Sequence, residues 1–82
     1  MTWENEARLL LKAEIVRRGV TYGVLAKRLQ AMGVHDSVRS IANKMSRGTF
    51  SFVFFLQCMK ALGAKSVTLA LPGDYDEGVK KE

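Results

Sequence analysis

The sequence has one cysteine, one histidine, one proline and one tryptophan in 82 residues. A lone cysteine cannot close an intrachain disulfide, so a secreted disulfide scaffold is excluded. Cys58 lies in the apolar stretch FVFFLQCMKALG and reads as a buried structural thiol rather than a nucleophile. One Cys and one His cannot build a usual zinc site. With one proline and seven glycines there is little room for linkers or low complexity. No apolar run approaches the ~20 residues of a membrane span. The opening MTWENEARLL lacks the basic-then-apolar order of a secretion signal. A cytoplasmic protein without cofactor, metal, membrane partner or small-molecule ligand is expected. At this length it forms one small domain, and with 48% apolar residues it can pack a core.

Acid is scarce where base is plentiful. Thirteen Lys and Arg face eight Asp and Glu, a net charge of +5. Between Ile15 and Gly73 the only acid is Asp36, against Arg17, Arg18, Lys27, Arg28, Arg39, Lys44, Arg47, Lys60 and Lys65. Such a stretch points to a polyanion, most commonly nucleic acid. The plain alternative is a solvated basic surface that keeps a small protein soluble.

Periodicity and caps predict four helices. The first runs over 2–18 from a Thr2 cap, with apolar stripes Leu9, Ala13, Val16, Val20 and Trp3, Ala7, Leu10. The second runs over 22–32, capped by Thr21, with Tyr22, Leu25, Ala26, Leu29 and Met32 inward. The third runs over 37–46 with Asp36 as N-cap and Val38, Ile41, Ala42 and Met45 inward. The fourth runs over 52–62, capped by Ser51. It has two apolar faces, Phe52, Phe55, Leu56, Met59, Leu62 and Phe54, Cys58, Ala61. Glycines 19, 33, 48 and 63 act as stops.

After Gly63 the period changes to two. Val67, Leu69 and Leu71 alternate with Ser66, Thr68 and Ala70, which predicts a strand over 66–71. A lone strand needs a partner, so pairing with a second copy would make a homodimer, with Phe54, Cys58, Val67, Leu69 and Leu71 at the contact. The alternative is an extended arm lying over the core. The expected division is a helix-turn-helix domain over 1–65, a strand or arm over 66–71 and a flexible charged tail over 72–82. The expected fold is mainly all-α: four to five helices in a compact bundle plus one short strand.

Two short amphipathic helices in succession, the second with a polar basic outer face, make a helix-turn-helix. Arg39 can pair bidentately with guanine and Asn43 with adenine. Ser37 and Ser40 are short enough for close approach to a groove. Lys44 and Arg47 can reach phosphates or bases, and Thr21 and Tyr22 are placed for phosphate contacts at a helix start. Each has an ordinary alternative as solvated surface or local backbone hydrogen-bonder.

The segments RRGVTYGVLAKRL, SRG and LQCMKALG resemble the helix-turn-helix domain of lambda-repressor/Cro-type bacterial regulators. More closely, WENEARLLLKAE, RRGVTY, IANKMSRGTFS and FFLQCMKALG are similar to a family of small uncharacterised bacterial proteins of this type. Between Leu25-Ala26 and Gly48 the chain is several residues longer than the usual regulator motif, so the tight turn between the two helices is missing. The resemblance implies DNA contacts from the third helix at Ser37, Arg39, Ser40, Asn43 and Lys44. The resulting expectation is a non-enzymatic, sequence-specific binder of double-stranded DNA, a small transcriptional regulator. The alternative is an antitoxin-like or adaptor module that binds protein through helix 52–62 and strand 66–71. An enzyme is disfavoured because paired carboxylates and a phosphate-binding glycine loop are missing.

Overall fold

A computed structural model describes residues 2–72 of the chain. Among these residues it holds four helices and no strand: α1 Trp3–Arg17, α2 Tyr22–Ala31, α3 Val38–Arg47 and α4 Phe52–Ala61. Every helix opens on a hydroxyl cap. The side chains of Thr2, Thr21, Ser37 and Ser51 accept from the N–H groups of Asn5, Val24, Ser40 and Phe54. Each cap satisfies an otherwise orphaned donor, worth about 1 kcal/mol. Asp36 was expected at the third start, but Ser37 caps α3 instead. Standing one residue upstream, the Asp36 carboxylate reaches further along the helix, to the Ser40 hydroxyl at 2.7 Å and the Lys44 ammonium at 2.9 Å. The glycines at 19, 33, 48 and 63 all have positive φ, as the predicted stops require.

The core is Leu11 and Ile15 from α1, Leu25 and Leu29 from α2, Ile41 and Met45 from α3, and six residues of the α4 region. The inward face of α2 matches its periodicity, except that Met32 at its end is exposed. In α3, Val38 is likewise exposed. The expected stripes of α1 are corrected. Leu11 and Ile15 are buried, whereas Trp3 and Val16 are each more than 60% exposed. Residues Leu9, Leu10 and Leu11 follow one another, so a helical period finds an apolar face in nearly any phase. The packing partners α3 and α4 choose the phase.

On α4 both expected faces contribute. Phe54, Phe55, Cys58, Met59, Ala61 and Leu62 are buried, and Phe52, Val53 and Leu56 remain outside. This helix packs against α1 and α2. Phe54 and Cys58 therefore do not belong to a dimer contact, because their own chain covers them. Burial pushes the Cys58 thiol up to about 12, with the Asp36 charge acting in the same direction. A thiol so protonated and so covered is inert.

Residues 66–71 form no strand. Their alternation is real, but four helices offer no edge for a ladder. The segment instead runs beside the α1–α4 crevice. Val67 packs partly against the core, and Leu69 joins Ala7, Leu10, Phe50, Phe52 and Phe55 around an apolar hollow of about 200 Å³. Leu71 is exposed. The expected charged tail lies outside the described residues from position 73 onward.

Candidate nucleic-acid interface

The outer face of α3 begins with positions whose side chains are already engaged. The Ser37 hydroxyl serves as the cap. The Ser40 hydroxyl donates to Asp36. Lys44 donates to both Asp36 oxygens, at 2.9 and 3.0 Å, and its ammonium sits 4.2 Å from the centre of the Phe54 ring. Its charge is thus paired locally, and reaching a phosphate or base would require this pair to open. Arg39, Asn43 and Arg47 remain exposed, four residues apart along one row of the helix. With Ser37, Ser40, Lys44 and Thr49 they line an open concavity of about 340 Å³. The structure brings together six of the eight residues singled out in the sequence.

The other two stand elsewhere. Thr21 lines neither this concavity nor its neighbour, and its hydroxyl caps α2. Tyr22 lines a larger groove, of about 560 Å³, between α1 and α3. Its hydroxyl accepts a 3.1 Å hydrogen bond from Lys12. Arg47 belongs to both concavities and joins them.

Much of the basic stretch is neutralised or employed inside the fold. Arg17 and Arg18 pair with Glu14. Arg18 also donates to the Leu62 carbonyl at 3.2 Å, and Arg28 to the Ala61 carbonyl at 3.2 Å. Both guanidiniums thus sit at the C-terminus of α4, where the helix dipole favours positive charge. Long-range bonds of this kind leave no periodic trace in the sequence. The cations beside α3 without an ion pair among the described residues include two that precede the basic stretch, Arg8 and Lys12 on α1. A trace did exist for them: Asn5, Arg8 and Lys12 recur at i, i+3 and i+7 and so form one polar row along α1.

Asp36 is the hinge of the local electrostatics. Burial raises its pKa, but the hydrogen bonds from Lys44 and Ser40, with the Lys44 charge, outweigh burial and hold the carboxyl below its usual value. Glu14 is lowered as well, chiefly by its hydrogen bond from Arg17. A carboxylate with a depressed folded-state pKa contributes stability above its unfolded value, and that contribution is lost as pH falls through the folded value. Thermal melts followed by circular dichroism should therefore drop steeply below about pH 4. Asp36→Asn should flatten that decline while lowering the melting point at neutral pH. An unchanged acid slope would show that Asp36 carries none of it.

Among the described residues no three His, Cys, Asp or Glu side chains are grouped to hold a metal. Nor is any helix of the described residues long and apolar enough to cross a membrane. No curated protein and no solved structure matches the chain. Residues 3–67, which span all four helices and end at the last side chain packed on the core, match the Domain of unknown function (DUF6471), and the chain belongs to that family.

Proposed function

We propose that the protein binds double-stranded DNA as a small, non-enzymatic transcriptional regulator in the cytoplasm, with α3 lying in the major groove. One observation carries this reading: Arg39, Asn43 and Arg47 form an exposed row on α3, whose neighbouring Ser37, Ser40 and Lys44 side chains are engaged within the fold. Arginine and asparagine are the residues that pair bidentately with guanine and adenine. In this reading α2 and α3 act as a lambda-repressor-like helix-turn-helix with a lengthened connection over 32–37. Ser37 and Ser40 allow close approach, while Tyr22 and Arg47 meet phosphate.

A second reading rests on a different surface. Phe52 and Val53 are each 62% exposed, and with Leu56 and Leu69 they leave an apolar patch beside the α1–α4 hollow. A protein partner, or a second copy of the chain, would cover it. The two readings are compatible. A homodimer would set two copies of α3 against half-sites about one helical turn apart.

Fluorescence anisotropy separates them. The purified chain is titrated onto labelled duplexes, one from the DNA upstream of its own gene and one scrambled, at about 50 and 200 mM salt. Four phosphate contacts would weaken binding on the order of a hundredfold over that range. Salt-sensitive binding that favours the upstream duplex is expected. Equal binding to both duplexes would remove sequence specificity. Absence of binding at low salt would remove the DNA reading and leave the apolar patch, whose associations respond little to salt.

A further inference from the structure

Beside the α3 face lies the 560 Å³ groove, larger than the α3 concavity of about 340 Å³. Four residues of α1 line it, Glu4, Asn5, Arg8 and Lys12, and the last three bring hydrogen-bond donors. Tyr22, at the start of α2, meets them there. Lys12 donates to the Tyr22 hydroxyl and lies 4.8 Å from the centre of its ring. Arg8 donates to the Asn5 side-chain oxygen.

None of these donors is exhausted. The ion pairs among the described residues are Arg17 and Arg18 with Glu14 and Lys44 with Asp36, so neither Arg8 nor Lys12 has a carboxylate partner. Because the Tyr22 oxygen accepts from Lys12, its own proton is left to donate. The Asn5 amide keeps both N–H donors once its oxygen is used by Arg8. Glu4 is the one acid on the groove lining, against three cations, Arg8, Lys12 and Arg47. A guanidinium, an ammonium, a hydroxyl and an amide with net positive charge suit a phosphate group. Arg47 lines this groove and the α3 concavity alike, so the two form one continuous surface.

We infer that the groove between α1 and α3 holds a backbone phosphate of the duplex that α3 reads, with Arg8 and Lys12 as its charged contacts and the Tyr22 hydroxyl as its neutral donor. This rests on the DNA reading above. It assigns affinity to α1, outside the basic stretch, and leaves sequence discrimination to α3. Phosphate contacts fix position and strength, and base contacts fix choice.

The test uses the full chain and the same two labelled duplexes, titrated across about 50–200 mM salt. The double variant Arg8→Gln with Lys12→Gln is expected to bind both duplexes about tenfold more weakly. The slope of log affinity against log salt should become shallower by about 0.9 for each phosphate the groove holds, with the ratio between duplexes unchanged. Lys27→Gln, which removes an exposed cation of α2 outside the groove, should leave the slope at or near its original value. Tyr22→Phe removes one hydroxyl and no charge. It should weaken both duplexes a few-fold at constant slope, and it serves if melts show the double variant to be unfolded. A double variant that is folded and keeps the original slope overturns the inference while the DNA reading stands. So does a Tyr22→Phe chain that binds as the unsubstituted one does. Failure of the unsubstituted chain to bind either duplex at low salt overturns both.

Discussion

Replacing Gly48 with alanine is expected to cost about 2–5 kcal/mol of folding stability, from left-handed backbone strain and overpacking combined. The residue caps α3 at φ +70°, a left-handed conformation that costs a residue with a Cβ roughly 1–2 kcal/mol. The larger share is steric. A Cβ built there would stand 2.1 Å from the Glu4 carbonyl oxygen and 2.7 Å from its carbon. Both are backbone atoms of the first turn of α1, so no rotamer change relieves the clash. Either α1 or the α3–α4 turn must shift, and overpacking of this kind costs about 1–3 kcal/mol. Gly33 is the internal control. It has φ +86° and nothing within 4 Å of its Cβ position, so Gly33→Ala should lose only the backbone part. At about 4–8 °C per kcal/mol for a domain of this size, Gly48→Ala should melt about 8 °C or more below the original chain. Gly33→Ala should melt well above Gly48→Ala. Equal melting points for the two variants would show that α1 does not press on the turn as described.

The same contact explains what the sequence could and could not convey. Gly48 after SR is legible as a helix stop, because a left-handed residue commonly follows a helix. Its pressure on Glu4 joins positions 44 residues apart, and no local pattern encodes it. The hydroxyl caps at Thr2, Thr21 and Ser51 were readable because capping acts over three residues. The third cap fell one position away, on Ser37, since Asp and Ser stand side by side and either chemistry suits the role. The α2 face was readable because polar residues bracket it; the α1 face was not, because Leu9, Leu10 and Leu11 blur the phase. The alternation over 66–71 was a true pattern without a structural partner. The charges were counted correctly but could not be assigned. Arg18 and Arg28 close the end of α4, Lys44 answers Asp36, and two of the three cations of the groove, Arg8 and Lys12, come from α1.

That reassignment sets the last expected result. Arg39→Ala and Asn43→Ala should each weaken binding to the upstream duplex by roughly 1–3 kcal/mol, the value of one bidentate base contact. Binding to the scrambled duplex should fall less, and melting points should hardly move, because both side chains are exposed and unpaired. Lys44→Ala should behave in the opposite way. Its ammonium is the charged partner of a carboxylate that is only 14% exposed, and its removal leaves Asp36 with the Ser40 hydroxyl alone. The melting point should fall, since a covered charge has lost its partner, while the ratio between duplexes stays as it was. Anisotropy on both duplexes and a melt of each variant decide the matter. If Arg39→Ala and Asn43→Ala lower both affinities equally, α3 touches only the DNA backbone, and choice of sequence must come from another element. If Lys44→Ala instead removes discrimination at constant stability, the Asp36 pair must open when DNA arrives. The carboxylate would then act as a placeholder for a base or phosphate, because Lys44 cannot direct its donors to both at once.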